Sequence, residues 1–323
     1  MEMLINTGIL ILGFVLLIKG ADFFVDGSSS IAKTLLIPPL IIGLTIVAMG
    51  TSLPELSVSV VSSLQGNNEL SVSNVTGSNL FNLVVVLGAS ALILPLNVDD
   101  RVLRRDFPIS ILCAAGLMIM CYKGMCIGRF AGTVLCVAFV LYIIYTVRAA
   151  TKSRKARLSQ HDDEFQEAAQ EYRILPMWQS VLYVIGGVVA VKFGGDFVVD
   201  SASYIAKSFG LSETLIGLTI VACGTSLPEL VTSIQATRKG ELDLAIGNVI
   251  GSNIFNILFI LGVAAFLSPI AIVTANLVDM GVLIVVSLIV WGFCWTKKSL
   301  SRREGVFMLI MYTIYLIYII LRK

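Results

Sequence analysis

Histidine is almost missing from this chain: 323 residues contain one, His161. That excludes imidazole-built metal centres and leaves any serine nucleophile without its usual base. Charge is scarce as well, at 14% of residues against about 25% in an ordinary soluble domain. The six cysteines (Cys113, Cys121, Cys126, Cys136, Cys223, Cys294) form no C-x-x-C, so they read as small buried side chains rather than disulfide or metal ligands. No G-x-x-x-x-G-K-[ST] occurs, which argues against nucleotide hydrolysis. No enzyme activity, cofactor, nucleic-acid partner or obligate protein partner is expected. The opening "MEMLINTGILILGFVLLIKG" lacks a basic leader and an A-x-A site, and it reads as a retained first span.

What fills the chain instead is apolar: 57% hydrophobic residues and a mean hydropathy of +0.91. It belongs in a lipid bilayer. Runs long enough to cross about 30 Å of hydrocarbon recur along its length. They predict about ten spans, at 3–33, 38–65, 70–95, 106–123, 127–148, 175–207, 213–237, 244–268, 273–296 and 304–321. With the N-terminus outside, most basic loop residues, from Lys33 and Arg101 to Arg302 and Arg303, fall inside, as the positive-inside rule requires. Both termini then face out. The polar segment 149–174, which holds His161, becomes a cytoplasmic linker whose basic end fixes orientation or touches anionic lipid.

The chain is also written twice. One shift aligns "DFFVDGSSSIAK" (22–33) with "DFVVDSASYIAK" (196–207), "GTSLPE" (50–55) with "GTSLPE" (224–229), and "NVTGSNLFN" (74–82) with "NVIGSNIFN" (248–256). Each half, 1–148 and 175–323, holds an odd number of spans, so the second enters the membrane from the opposite side. The expected fold is an all-α membrane protein of about ten transmembrane helices in two inverted five-helix repeats. Transporters place such repeats around a midplane site.

The repeated motif carries the chemistry. Pro54 and Pro228 have no N–H for the carbonyls of Gly50 and Gly224, so each helix should loosen there and free carbonyl oxygens. Glu55 and Glu229 follow, with Ser52 and Ser226 three residues back and Thr51 and Thr225 four back, on the same helix face. The next spans add Asn74, Ser78 and Asn82, and Asn248, Ser252 and Asn256, spaced as polar stripes. Gly77 and Gly251 beside them would let helices approach. The donors are oxygens, which suit Ca²⁺ or Na⁺ better than transition metals. A divalent ion, two or more sodium ions, or two protons would each neutralise the two acids.

"GTSLPE" with "GSNLFN", and "GTSLPE" with "GSNIFN", resemble the two alpha repeats of the calcium/cation antiporter superfamily, best its prokaryotic sodium/calcium exchanger branch. The resemblance implies Ca²⁺/Na⁺ antiport by alternating access in the plasma membrane of a prokaryote (the inner membrane if Gram-negative), with Ca²⁺ and Na⁺ and the bilayer as partners. It implies Glu55 and Glu229 as central calcium ligands, with the carbonyls of Thr51 and Thr225. Sodium would use Ser52, Ser78, Ser226 and Ser252 with the carbonyls of Ala48 and Ala222. Asn82 and Asn256 complete the centre; asparagine at 256 departs from relatives with aspartate there and argues against potassium co-transport. The proton-coupled branch shows G-N-x-x-E in place of "GTSLPE", which ranks a Ca²⁺/H⁺ antiporter second.

Other readings compete. The acids could be protonated and hold helices together, and the amide stripes could serve interhelical hydrogen bonding. A passive cation channel is the rival from another class, and an intramembrane hydrolase at Ser52 or Ser226 would lack a base. Asn79 and Asn253 point away from the stripe. Asp22, Asp26, Asp196 and Asp200 read as interface or ion-pair residues with Lys19 and Lys192 one turn away, and "DDRVLRRD" (99–106) as a turn with orienting arginines.

Overall fold

A computed structural model describes residues 2–66, 68–160, 174–210, 220 and 222–322. His161 and the first part of the expected seventh span lie outside these. The first half runs as α1 (Glu2–Thr34), a bent pair α2 (Pro39–Thr51) and α3 (Leu53–Leu64), α4 (Leu70–Ile93), α5 (Phe107–Gly124) and α6 (Arg129–Gln160). The second runs as α7 (Met177–Ser208), a helical turn Ala222–Gly224 leading into α8 (Leu227–Arg238), α9 (Leu242–Leu267), α10 (Thr274–Lys297) and α11 (Arg302–Leu321). Among the described residues seven single helices and one bent pair are long and apolar enough to cross a bilayer. α5 and the 222–238 segment occupy the other two expected places. Helix α6 continues through Gln160, past the expected boundary at 148, so the basic start of the linker is helical.

The only strands described are two-residue pieces that tie hairpins together. β1 (Leu96–Asn97) pairs antiparallel with β4 (Ser299–Leu300), and β2 (Cys126–Ile127) with β3 (Ile270–Ala271). β1 and β3 occupy equivalent repeat positions, so the two ribbons cap opposite ends of the molecule. The end that carries Thr34, β1, Leu175 and Arg238 is here the linker end.

Helices α4 and α9 run through the centre and supply much of the core, including Val72, Val75, Leu80, Ile246, Val249 and Ile254. Burial all round suits their sequences, which alternate apolar residues with small and amide ones. Asn79 and Asn253 clasp each other where the helices meet: each Nδ2 donates to the other's carbonyl oxygen, at 3.1 and 3.2 Å. The two residues are repeat equivalents, so the clasp marks the pseudo-twofold axis.

Helix α1 packs against α7 along a seam of small residues. Gly13, Gly20 and Gly27 recur every seven positions, as do Ser180, Gly187, Gly194 and Ser201. A Cβ on Gly20 would lie 2.8 Å from Ala190 Cβ and 2.9 Å from Val191 N, and one on Gly194 2.7 Å from Leu17 N. Only glycine admits that backbone approach, and in lipid close packing is what holds helices together. Gly251 is used as expected, with the Leu44 carbonyl oxygen 2.6 Å from where its Cβ would be. Gly77 has nothing within 4 Å among the described residues; Leu218, the repeat equivalent of Leu44, lies outside them.

Candidate functional site

The bend predicted at the prolines is present. α2 and α3 meet at 49°, with Ser52 between them outside helical geometry (φ −85°, ψ 15°), and Ser226 repeats the conformation (φ −92°, ψ 7°). Each bend sets the next helix so that Pro54 and Glu55, or Pro228 and Glu229, occupy its first turn. The helix dipole there favours negative charge. Asn82 and Asn256 each open a turn of π-helix, Asn82–Val86 and Asn256–Ile260, which displaces the local backbone ladder beside the site.

These elements bring the two acids to the middle of the molecule, both fully buried. Each is held by the other repeat: the Ser52 hydroxyl donates to Glu229 Oε1 at 2.7 Å, and the Ser226 hydroxyl to Glu55 Oε1 at 3.0 Å. Ser78 adds a donor to Glu55 Oε1 at 3.3 Å. Ser252 instead donates to the Ala48 carbonyl at 3.4 Å. Asn74 and Asn248 stand behind the acids, donating to Ser59 and Ser233 hydroxyls at 3.0 Å each and to the backbone carbonyls of Glu55 and Glu229. They brace the helices that present the carboxylates. Thr51 donates across the repeats to Asn248 Oδ1 at 3.1 Å.

Several buried oxygens are left over. Among the described residues Glu55 Oε2, Glu229 Oε2, Thr225 Oγ1, Asn82 Oδ1 and Asn256 Oδ1 have no hydrogen-bond partner, nor does Asn82 Nδ2. No lysine or arginine forms a described ion pair with either carboxylate. Buried acceptors without donors cost free energy, and buried carboxylates without counter-charge cost more. A cation lodged among these atoms relieves both. Hydroxyl, amide and carboxylate oxygens suit a hard ion. Ala222 opens the short helical turn before Thr225, the position that Ala48 has in the first half.

Sequence reasoning missed part of this arrangement. Asn79 and Asn253, which face away from the stripe as expected, close the central clasp, and Asn79 Oδ1 also accepts from Asn256 Nδ2 at 3.0 Å, which leaves the Asn256 oxygen without a partner among the described residues. Their signal was exact repetition inside an apolar helix. Asp22 and Asp26 do not pair with Lys19; both pair with Lys239, at 2.6 and 2.7 Å, while Lys192 pairs with Asp196 as expected. Cys126 is exposed rather than buried, and all six cysteines are free. In the 99–106 turn, Asp99 and Asp106 each hold an arginine, Arg101 and Arg105.

Two inverted halves that close around a buried, acid-bearing cage of oxygens define a membrane carrier for cations. The profile of the family described as sodium/calcium exchanger protein matches residues 5–148 and 179–321, and the chain belongs to that family. It is 38% identical to the inner membrane protein YrbG of Escherichia coli, over 93% of this chain and 92% of that one. It is 32% identical to the sodium/calcium exchanger MaX1 of Methanosarcina acetivorans, over 97% and 98%. Its fold matches the sodium-calcium exchanger NCX_Mj soaked with Na⁺ and Ca²⁺, with a TM-score of 0.82 and 31% identity over 96% of this chain and 97% of that one. The protein is a multi-pass membrane antiporter of the calcium/cation class.

Proposed function

We propose that the protein exchanges Ca²⁺ for Na⁺ by alternating access, with the linker end in the cytoplasm. The observation that carries this reading is a pair of fully buried carboxylates, each fixed by a hydroxyl from the opposite repeat and each keeping one oxygen unpartnered. Ca²⁺ sits between Glu55 and Glu229, joined by the carbonyls of Thr51 and Thr225 and the oxygens of Asn82 and Asn256. Na⁺ ions take positions beside Ser52 and Ser78, and Ser226 and Ser252, with the carbonyls of Ala48 and Ala222. The names printed for MaX1 and NCX_Mj support sodium as the counter-ion. The distribution of basic residues supports the orientation.

The exchange rule follows from charge. An empty site holds two negative charges in a low-dielectric interior, where even one carboxylate costs upward of about 2.5 kcal/mol. Switching sides with the site empty is therefore slow; switching with the charges neutralised is fast. Proton coupling is the second reading, because two carboxylates with free oxygens can also be neutralised by two protons. Proteoliposomes decide between them. Sodium gradients are expected to drive ⁴⁵Ca²⁺ uptake at matched pH. Uptake driven by a proton gradient and indifferent to sodium would overturn the assignment, and calcium flux without any counter-ion would indicate a channel.

A further inference from the structure

An oxygen cage that includes amides faces a difficulty that carboxylates do not. Glu55 and Glu229 show oxygen whichever way they turn, but Asn82 and Asn256 carry an oxygen at one end of the group and an NH₂ of nearly equal size at the other. Packing scarcely distinguishes the two ends, whereas hydrogen-bond polarity does. An amide that turns its NH₂ toward a cation repels it, so a neighbour has to set the direction.

For Asn256 that neighbour is present. The backbone carbonyl of Asn253 can only accept, so the Asn79 side chain faces it with Nδ2, at 3.1 Å. Asn79 then offers Oδ1 on its other side, and Asn256 meets it with Nδ2, at 3.0 Å. The Asn256 oxygen is thereby turned away from Asn79, and it is a buried acceptor without a partner among the described residues, as are Glu55 Oε2 and Glu229 Oε2. Because the series ends on a main-chain carbonyl, each amide in it has one favourable direction. The mirror series is begun and not finished. Asn253 Nδ2 donates to the Asn79 carbonyl at 3.2 Å, but Asn253 Oδ1 and both polar side-chain atoms of Asn82 have no partner among the described residues. One bond, from Asn82 Nδ2 to Asn253 Oδ1, would complete it. All four asparagines are buried, so water does not settle their directions.

We propose that Asn79 and Asn253 are positioning residues for the ion site, each aiming the amide of the opposite repeat so that it shows oxygen to the cation: Asn79 for Asn256, and Asn253 for Asn82. The inference rests on the function proposed above, in which Asn82 and Asn256 face the ion. In this structure one relay is closed and the other open, so one amide is fixed as an oxygen donor while the other can still turn. A closed relay strengthens calcium binding, because the oxygen is set before the ion arrives and its amide need not be ordered on binding. Each relay also crosses from one repeat to the other, so the site has its full set of aimed oxygens only while α4 and α9 stay clasped.

Equilibrium ⁴⁵Ca²⁺ binding to the purified protein in detergent tests this apart from transport. Asn79→Ala should weaken binding roughly three- to tenfold, the worth of one buried hydrogen bond. The loss should depend on Asn256. In an Asn256→Ala background Asn79→Ala should weaken binding by less than about twofold more, whereas in an Asn82→Ala background it should cost its full amount. Asn253→Ala is the control: it removes a clasp bond of the same kind but keeps the main-chain carbonyl that directs Asn79, so its effect should be the same with and without Asn256. Asn79→Asp should keep wild-type affinity or exceed it, because its carboxyl oxygen accepts from Asn256 in either protonation state. A loss from Asn79→Ala that is unchanged by Asn256→Ala, or equal coupling of Asn79 and Asn253 to Asn256, is what a purely structural clasp would give and overturns the relay. If Asn79→Ala does not fold, Asn79→Asp decides: weakened calcium binding at an unchanged unfolding midpoint overturns the proposal, and retained binding supports it. Calcium binding without sodium-driven flux in proteoliposomes would overturn the functional reading alone, with the binding measurements still deciding the relay.

Discussion

The two repeats agree at the centre and disagree at the rim. Around Glu55 and Glu229 almost every bond is made twice: Ser52 to Glu229 and Ser226 to Glu55, Asn74 to Ser59 and Asn248 to Ser233, Asn79 and Asn253 to each other. One turn away the symmetry fails. Thr51 has Asn248 as a partner while the Thr225 hydroxyl has none among the described residues, and Ser78 reaches a carboxylate while Ser252 reaches a carbonyl. On the proposed function, holding an ion draws on both halves equally, which fits the copied centre. A cycle that opens the site to one face at a time would call for unequal surroundings, which fits the rim.

That contrast can be broken at its centre. Glu55→Gln and Glu229→Gln should each reduce calcium exchange by roughly 10²- to 10⁴-fold, because removing one partner of a buried charged group costs about 3–5 kcal/mol. The two losses should be equal within a few-fold in vesicle flux assays. A carrier that keeps exchanging with either acid neutralised would not use the symmetric cage. The α1–α7 seam offers a smaller effect: Gly20→Val places a branched side chain where even a Cβ meets Ala190 and Val191, and should cost about 1–3 kcal/mol of helix packing, read as a lower unfolding midpoint in detergent. Gly8, with nothing near it, should tolerate the same change. The smallest effect sharpens the rim. Thr51→Val removes a buried cross-repeat hydrogen bond and should cost about 1 kcal/mol of stability, whereas Thr225→Val should leave the midpoint unchanged.

Much of this was legible in the sequence because the repeat is a second reading of the same text. A glutamate in an apolar helix could be an accident, but a glutamate after glycine, two hydroxyls and proline, written twice in opposite orientation, marks a candidate site. The helices followed from composition and length. The pairings across the repeats did not: helical spacing tells which residues share a face, and Ser52 and Glu55 do, yet Ser52 bonds the other glutamate. Asp22 and Lys239 are likewise far apart in the chain and share no periodic pattern, so the nearer Lys19 looked like the partner. The seven-residue glycine spacing in α1 and α7 was visible in the letters. Its meaning appears only when the two helices lie side by side.

That glycine seam joins one helix from each repeat so tightly that neither can travel alone. In the proposed cycle a shove delivered to α1 at one surface would be carried by α7 to the other, as in a canal lock whose two gates hang on a single beam. Leakage through both mouths together would then be opposed by mechanics, before any ion has been recognised.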